Sequence, residues 1–363
     1  MSARVPLLRA SVVVVSHNSA DDLVVCLEAL LPTLGQSDEV IVYDSGSDDE
    51  SVAVAGRYPV SVVAGANVGY GAANNRAARL ARGRWLVFLN PDTAVEAGWL
   101  DRLLEPLGEG PALATARIVL MDRPELIDAC GNEVHVSGIT VCRAHGRRAE
   151  LAVGTERILA VSGAAFAIDR ASFDRLGGFD ERYFMYLEDT DLSLRAAIAG
   201  VPCWCVGASV VRHRHAPSVG PRKLYWLERN RYQMLLTVWS GPTLLRLLPS
   251  LALVEALTWS YALLAGPSAL AAKARAWAEL LSHPWQLVRE RRRAQGLRRV
   301  PDREVLARCA RRLDLQELIG APALRALAGA VLGPVMVVCA LPLGQVGSRR
   351  VARVVDRDGD ALA

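Results

Sequence analysis

Four times within the first 92 residues, a short apolar run rich in β-branched side chains stops at a cluster of polar residues. Residues 11–15 end at Ser16-His17-Asn18, and residues 39–43 end at Asp44-Ser45-Gly46-Ser47-Asp48-Asp49. Residues 61–64 open a Gly/Asn-rich loop over 65–75, and residues 85–89 run into Asn90-Pro91-Asp92. Apolar residues at helical spacing follow at 20–31, near 51–57 and up to about 81. This strand–helix alternation predicts an α/β domain with a mostly parallel sheet, in which the loops at the carboxyl ends of the strands form the ligand crevice. Further along, 114–120 and 134–141 are strand-like, the signal sharpens again at 163–168, residues 186–191 open a helix running to Ala199, and 210–213 form a last strand end.

Beyond residue 224 the chain is helical and apolar, and its charge changes sign. Of the 363 residues, those from 221 onward carry 22 Lys/Arg against 11 Asp/Glu, whereas the first 220 carry 20 against 27. An acidic first part suits a divalent cation beside a diphosphate, and a basic, apolar second part suits anionic lipid headgroups. Residues 247–265 hold one charge, Glu255, and residues 326–348 hold none. Both are long enough to span a bilayer, but Pro249, Pro334, Pro342 and several glycines interrupt them, so an interfacial or re-entrant hairpin is an equal expectation. Trp277, His283 and Trp285 precede the run from Arg289 to Arg299, a lipid-interface composition rather than a nucleic-acid patch. Seven cysteines without paired spacing indicate reduced thiols, and no signal peptide opens the chain, so the catalytic part is expected in the cytosol.

The polar clusters contain residue types that could meet a nucleotide base or ribose, a metal-held diphosphate and a transferred proton. A carboxylate such as Asp92, just past a strand, can hold Mg2+ or Mn2+ against a diphosphate, although Asn-Pro-Asp is also an ordinary turn. Asp44 is placed to meet a base or ribose, and the Ser45–Asp49 stretch equally reads as a helix cap. Asn67, Gly69, Gly71, Asn74 and Asn75 combine small residues with side-chain donors. Glu188, Asp189 and Asp191 crowd three carboxylates at a helix start, which raises their proton affinity and suits a general base, unless they simply cap the helix. His213 offers an imidazole to a metal or phosphate, and Arg229 a cation to a diphosphate or to a salt bridge.

Taken in order, the segments Ser11–Asn18, Val42–Asp49, Asn67–Asn75, Phe88–Thr93, Gly177–Glu181 and Glu188–Asp191 resemble the family 2 glycosyltransferases, most closely their bacterial rhamnosyltransferase-like branch, over residues 11–233. The resemblance implies a GT-A fold over residues 1–233, followed by a helical, membrane-associating region over 234–363. It implies a nucleoside-diphosphate sugar donor, a divalent cation and inversion at the anomeric carbon. Asp189 matches the base. Gly163, Glu188 and Asp191 are assigned to acceptor and sugar, and Asn18, Asp44, Ser45, Asn67, Gly69, Asn75, Asn90 and Arg229 to the nucleotide sugar. Asp92 matches the second carboxylate of the metal motif, with Asn90 standing in place of the first. His213 and Ser218 match a His-to-Ser spacing in which the histidine joins the metal. The branch points to dTDP-rhamnose as donor, and the apolar, basic C-terminal third points to a polyprenyl-linked or other cell-envelope glycan as acceptor, at the cytoplasmic face of the membrane. The alternative is a non-catalytic, membrane-anchored sugar-nucleotide-binding protein of the same fold. A nicotinamide enzyme is disfavoured because no G-x-G-x-x-G opens the first helix.

Overall fold

The computed structural model describes residues 8–214 and 220–311; Ser218 and the apolar stretch 326–348 lie outside the described residues. Strands β1 (Leu8–Ser16), β2 (Asp38–Ser45), β3 (Ser61–Gly65) and β4 (Gly83–Leu89) lie parallel in the order β3-β2-β1-β4. Helices α1 (Ala20–Leu30), α2 (Ser51–Ala55) and α3 (Tyr70–Leu80) connect them. The unbroken valine run of β1 is what a strand buried on both faces requires. Val12 and Val14 pack with Leu23, Leu27, Val87 and Leu89 on one face. Val13 and Val15 pack with Phe88, Phe166 and Phe179 on the other, because successive side chains in a strand alternate.

After β5 (Thr93–Val95) and α4 (Trp99–Gly108), the sheet is extended by β6 (Leu113–Leu120), with β7 (Ile127–Ala129) antiparallel beside it. A hairpin of β8 (Asn132–Val134) and β9 (Thr140–Cys142) follows, where the sequence predicts one strand over 134–141. Then come β10 (Thr155–Ile158), β11 (Ala165–Asp169), α5 (Arg170–Leu176), α6 (Glu188–Ile198) and β12 (Cys203–His213). The main sheet runs β10-β12-β6-β11-β4-β1-β2-β3, with β5 paired to β12. Its first four strands are parallel as expected, while β11 inserts antiparallel between β4 and β6. That register, Ala165 opposite Leu89, brings the loop before β11 to the end of β4, beside Asn90.

Helices α7 (Pro221–Val238), α8 (Gly241–Leu264), α9 (Pro267–Ser282), α10 (Pro284–Gly296) and α11 (Asp302–Leu306) complete the described chain. The first four each carry proline in the first turn, where its missing N–H costs nothing. The expected boundary at 233/234 falls inside the continuous α7. The expected interruption at Pro249 does not occur, because α8 runs through it and the chain turns back only at Gly266 (φ 102°). Tyr183, Leu194 and Ile198 share a core with Met234, Val238, Trp239 and Leu247, so α6 and the helical arm are packed as one body.

Candidate active site

The carboxyl ends of β1 and β2 are stitched into one rigid rim. Asp44 is buried and accepts hydrogen bonds from the Ser47 backbone (3.0 Å) and hydroxyl (2.5 Å), so it shapes its own turn. Asn18, in the left-handed region (φ 51°), donates its backbone N–H to Ser47 Oγ (2.9 Å) and accepts from the Asp48 N–H (2.8 Å). His17, which the sequence did not single out, donates from Nδ1 to the Ser45 carbonyl (3.0 Å) and accepts from Asn67 Nδ2 (3.3 Å). Asn67 also accepts from the Gly69 N–H. The hydroxyls of Ser16 and Ser45 are buried there without hydrogen-bond partners, an arrangement that leaves donors for a bound polar molecule.

At the end of β4, the Asn90 N–H donates to the Ala164 carbonyl (2.9 Å), and the buried Asn90 Oδ1 has no hydrogen-bond partner among the described residues. Asp92 Oδ1 lies 3.3 Å from His213 Nε2, since β5 pairs with the end of β12. His213 Nδ1 donates to Asp128 Oδ2 (2.7 Å), and Asp128 also meets His145, 3.3 Å from its Oδ1. Burial opposes charge on His213, but the bonds to Asp128 and Asp92 overcome it and raise the imidazole to about 10. A carboxylate behind the histidine fixes ring orientation and leaves Nε2 aimed at Asp92. Among the described residues no three His, Cys, Asp or Glu side chains are placed to hold a metal ion by themselves. Asp92, the Asn90 amide oxygen and, once an incoming cation displaces its Nε2 proton, His213 would suit a cation shared with a diphosphate.

The third element is the start of α6. Asp189 Oδ2 accepts from the Gly163 N–H (2.7 Å) and Asn132 Nδ2 (3.0 Å), and its Oδ1 from the Thr190 N–H (2.6 Å) and hydroxyl (3.1 Å). Burial raises its proton affinity and these bonds pull it back. Glu188 is more deeply buried, its Oε2 has no hydrogen-bond partner, and burial with the charge of Asp189 pushes its carboxyl up to about 8. The Tyr70 phenol donates to the Gly163 carbonyl (2.7 Å), and burial, then Glu188, Asp189 and Asp92 all raise it, which places both carboxylate groups around one ring. The turn into α6 holds Tyr186 and Leu187 at φ 70° and 68°, an unusual conformation for large side chains. Buried Asn230 holds it by donating from Nδ2 to the Met185 (2.9 Å) and Tyr186 (2.7 Å) carbonyls.

Several expected site residues serve the framework instead. Asn75 sits within α3 and spends its side chain on the Phe179 backbone and on Glu181, bracing α3 against the turn before α6 rather than facing the rim at Asp44. Arg229 is buried under Trp226 (4.3 Å to the ring), with Nε on Asn230, Nη1 on Glu279 and Nη2 on the Arg182 carbonyl, so each of its nitrogens is tied to the framework. Asp191 is buried in a pair with Arg195 (2.7 Å) and does not reach toward an acceptor. Gly163 acts on Asp189 through its N–H. Gly69 (φ 83°) is required because a Cβ there would lie 2.2 Å from the Phe184 carbonyl. His17, Asp128, Asn132, His145 and Asn230 were missed. The sequence offered a signal only for His17, beside Asn18, and for Asn230, beside Arg229.

A parallel nucleotide-binding half, an antiparallel insertion at its edge, a strand-end Asp facing a histidine and a carboxylate pair opening a buried helix define the GT-A class of sugar transferases. Residues 11–175 match the family described as Glycosyl transferase family 2. Over 227 residues the chain is 33% identical to an N-acetylglucosaminyl-diphospho-decaprenol L-rhamnosyltransferase of Mycobacterium tuberculosis, covering 53% of this chain and 73% of the relative. This chain belongs to the family 2 glycosyltransferases, in their rhamnosyltransferase-like branch. It is 29% identical over 186 residues to the O-antigen biosynthesis protein RfbC of Myxococcus xanthus, covering 48% of this chain and 14% of that protein. In fold it is similar to the crystal structure of GalNAc-T7 with UDP, GalNAc and Mn2+, with a TM-score of 0.53 and 18% identity, covering 65% of this chain and about half, 49%, of the other.

Proposed function

We propose that this chain transfers rhamnose from dTDP-rhamnose, with inversion, to a polyprenyl-linked glycan precursor at the cytoplasmic face of the membrane. The observation that carries the reading is Asp189, partly open to solvent and fixed by four hydrogen bonds, one loop away from Asn90 and Asp92. The rim of Asn18, Asp44, Ser45, Asn67 and Gly69 would hold the nucleoside. Asp189 accepts the proton of the acceptor hydroxyl as that oxygen bonds to the anomeric carbon from the face opposite the diphosphate. The bond from that carbon to the diphosphate oxygen breaks with its electron pair, and the nucleoside diphosphate leaves. Glu188, whose raised proton affinity keeps it largely neutral near pH 7, adds no second negative charge beside the base. Asp92 and His213, with Asn90 beside them, fit a divalent cation, Mg2+ or Mn2+, which when bound neutralises charge developing on the diphosphate.

The rhamnosyl group and the polyprenyl-linked acceptor rest on the name of the mycobacterial relative, the dTDP carrier on the resemblance to the rhamnosyltransferase-like branch, and the membrane on the apolar, basic helical arm. Calorimetric titration with dTDP, UDP and GDP, each with and without Mn2+, tests the reading. Tight, Mn2+-dependent binding of dTDP alone is expected. Binding of UDP or GDP in its place would refute the donor, and no binding of any would refute the transferase assignment for this site.

A further inference from the structure

Helix α8 is amphipathic the wrong way round for a helix bathed in water. Its protein-facing stripe runs through Thr243, Leu247, Ser250, Val254 and Ala262, and Glu255 and Thr258 bond to the neighbouring helices, while Arg246, near the start, and Ser260 are exposed. Glu255, the one charge in 247–265, accepts from Trp277 Nε1 (2.7 Å) and pairs with Lys273 (3.0 Å) and Arg231 (3.3 Å). Thr258 accepts from Lys273 (2.7 Å), and Lys273, fully buried, also pairs with Glu228. The outward side carries Leu245, Leu248, Leu253, Tyr261, Leu263 and Leu264, the last of them 88% exposed. Only 22% of the most apolar window of this helix is buried. A water-facing helix shows the opposite distribution, so the medium outside α8 is apolar.

We propose that this outward face beds into the surface of a lipid bilayer, with α8 lying in the plane of the membrane and not crossing it. The inference deepens the reading of a membrane-held acceptor given above and names the part of the chain that meets the lipid. Length would permit a span, since α8 has 24 residues. Spanning, however, would carry Glu255, at mid-helix, to the bilayer centre together with its partners Arg231, Lys273 and Glu228, on helices of which α7 runs back into the catalytic core. Lying flat leaves that network on the protein side and mainly leucines, alanines and Tyr261 in the acyl boundary, with Arg246, one turn into the helix, able to extend its guanidinium to the headgroups. The partner is lipid rather than protein because the rest of the arm adds interfacial chemistry: Leu281 is exposed at the end of α9, Trp285 (84%) and Val288 are exposed on α10, and the side chains of Arg289 and Arg293 farther along α10 are mostly exposed.

The test is flotation of the purified full-length chain with phosphatidylcholine vesicles, with and without phosphatidylglycerol. The expected result is co-flotation that increases with anionic lipid and falls at least tenfold in the Leu248→Glu/Leu253→Glu/Leu264→Glu variant. Leu80→Glu, at an exposed leucine of the catalytic domain, should float like the wild type. Nucleotide titration of the triple variant should match the wild type, showing that it is folded. Single cysteines at Leu245 and Leu264 should react alike with an impermeant maleimide added outside the vesicles. A triple variant that floats undiminished overturns the proposal, as does a wild-type chain that never floats because residues 312–363 or a second copy cover the face. One cysteine reacting only after vesicle lysis overturns the in-plane placement. Vesicle binding without nucleotide binding would instead count against the transferase reading and leave this one standing.

Discussion

Replacing Asn230 should damage catalysis although the residue touches no reacting group. Its amide nitrogen serves the Met185 and Tyr186 carbonyls and its oxygen accepts from Arg229 Nε (3.0 Å). Each net hydrogen bond contributes ~1 kcal/mol, and a buried group left without a partner costs ~1–3 kcal/mol. Met185 is partly exposed, so water can rescue its carbonyl. Asn230→Ala should therefore cost about 1–3 kcal/mol, toward the lower figure to the extent that the two left-handed residues, strained by ~1–2 kcal/mol each, relax. The relaxed turn displaces Glu188 and Asp189, the first two residues of α6, and a shift of about 1 Å can cost about 100-fold in kcat. The donor rim lies on other loops, so nucleotide affinity should change less than threefold. Asn230→Asp is the sharper probe. It preserves volume but sets a carboxylate against two carbonyl oxygens, and it should be at least as damaging as alanine. Urea midpoints, kcat and nucleotide titration are the readouts. An Asp variant with wild-type stability and turnover would refute the reasoning.

Asp189→Asn should abolish transfer while leaving calorimetric nucleotide affinity unchanged; residual transfer above a few per cent would contradict its role as base. Glu188 holds a proton in the folded state up to about pH 8 that the unfolded chain releases near 4.5, so stability should fall as pH rises through that window. Glu188→Gln should flatten that profile and be the more stable form at pH 8, measured by urea midpoints from pH 5 to 9. Asp128→Asn loosens the His213 ring and should weaken Mn2+ retention with dTDP about tenfold, read from the free-Mn2+ resonance signal. Gly69→Ala, with its Cβ on the Phe184 carbonyl, should cost about 3 kcal/mol of stability.

The parallel half of the fold was legible because each strand there is a continuous apolar run closed by polar residues, and burial on both faces demands such runs. The antiparallel β11 was not, since a short strand reads identically in either direction. At the candidate site, Asp92, Asp189 and His213 stood out in the sequence by residue type at a strand or helix end. Asn75, Asp191 and Arg229 were equally polar and equally near, but sequence does not tell which side of a helix faces the cleft. In the structure all three turn toward the framework. Asp128 and Asn132 lie where strands of three residues give almost no periodic signal, and their importance comes from neighbours far away in the chain, His213 and Asp189.

Helix α7 joins two features through adjacent residues. Asn230 grips the turn that sets Glu188 and Asp189, while Arg231 grips Glu228 and Glu255 in the arm. One rigid rod thus fixes the height of the proton acceptor above whatever surface the arm rests on. An acceptor tethered to that surface would be gauged by the length of its stalk, and sugars carried too high or too low would miss Asp189 even with the right hydroxyl on offer. Selectivity for a growing glycan can then reside in a distance, without any pocket that reads its sugars.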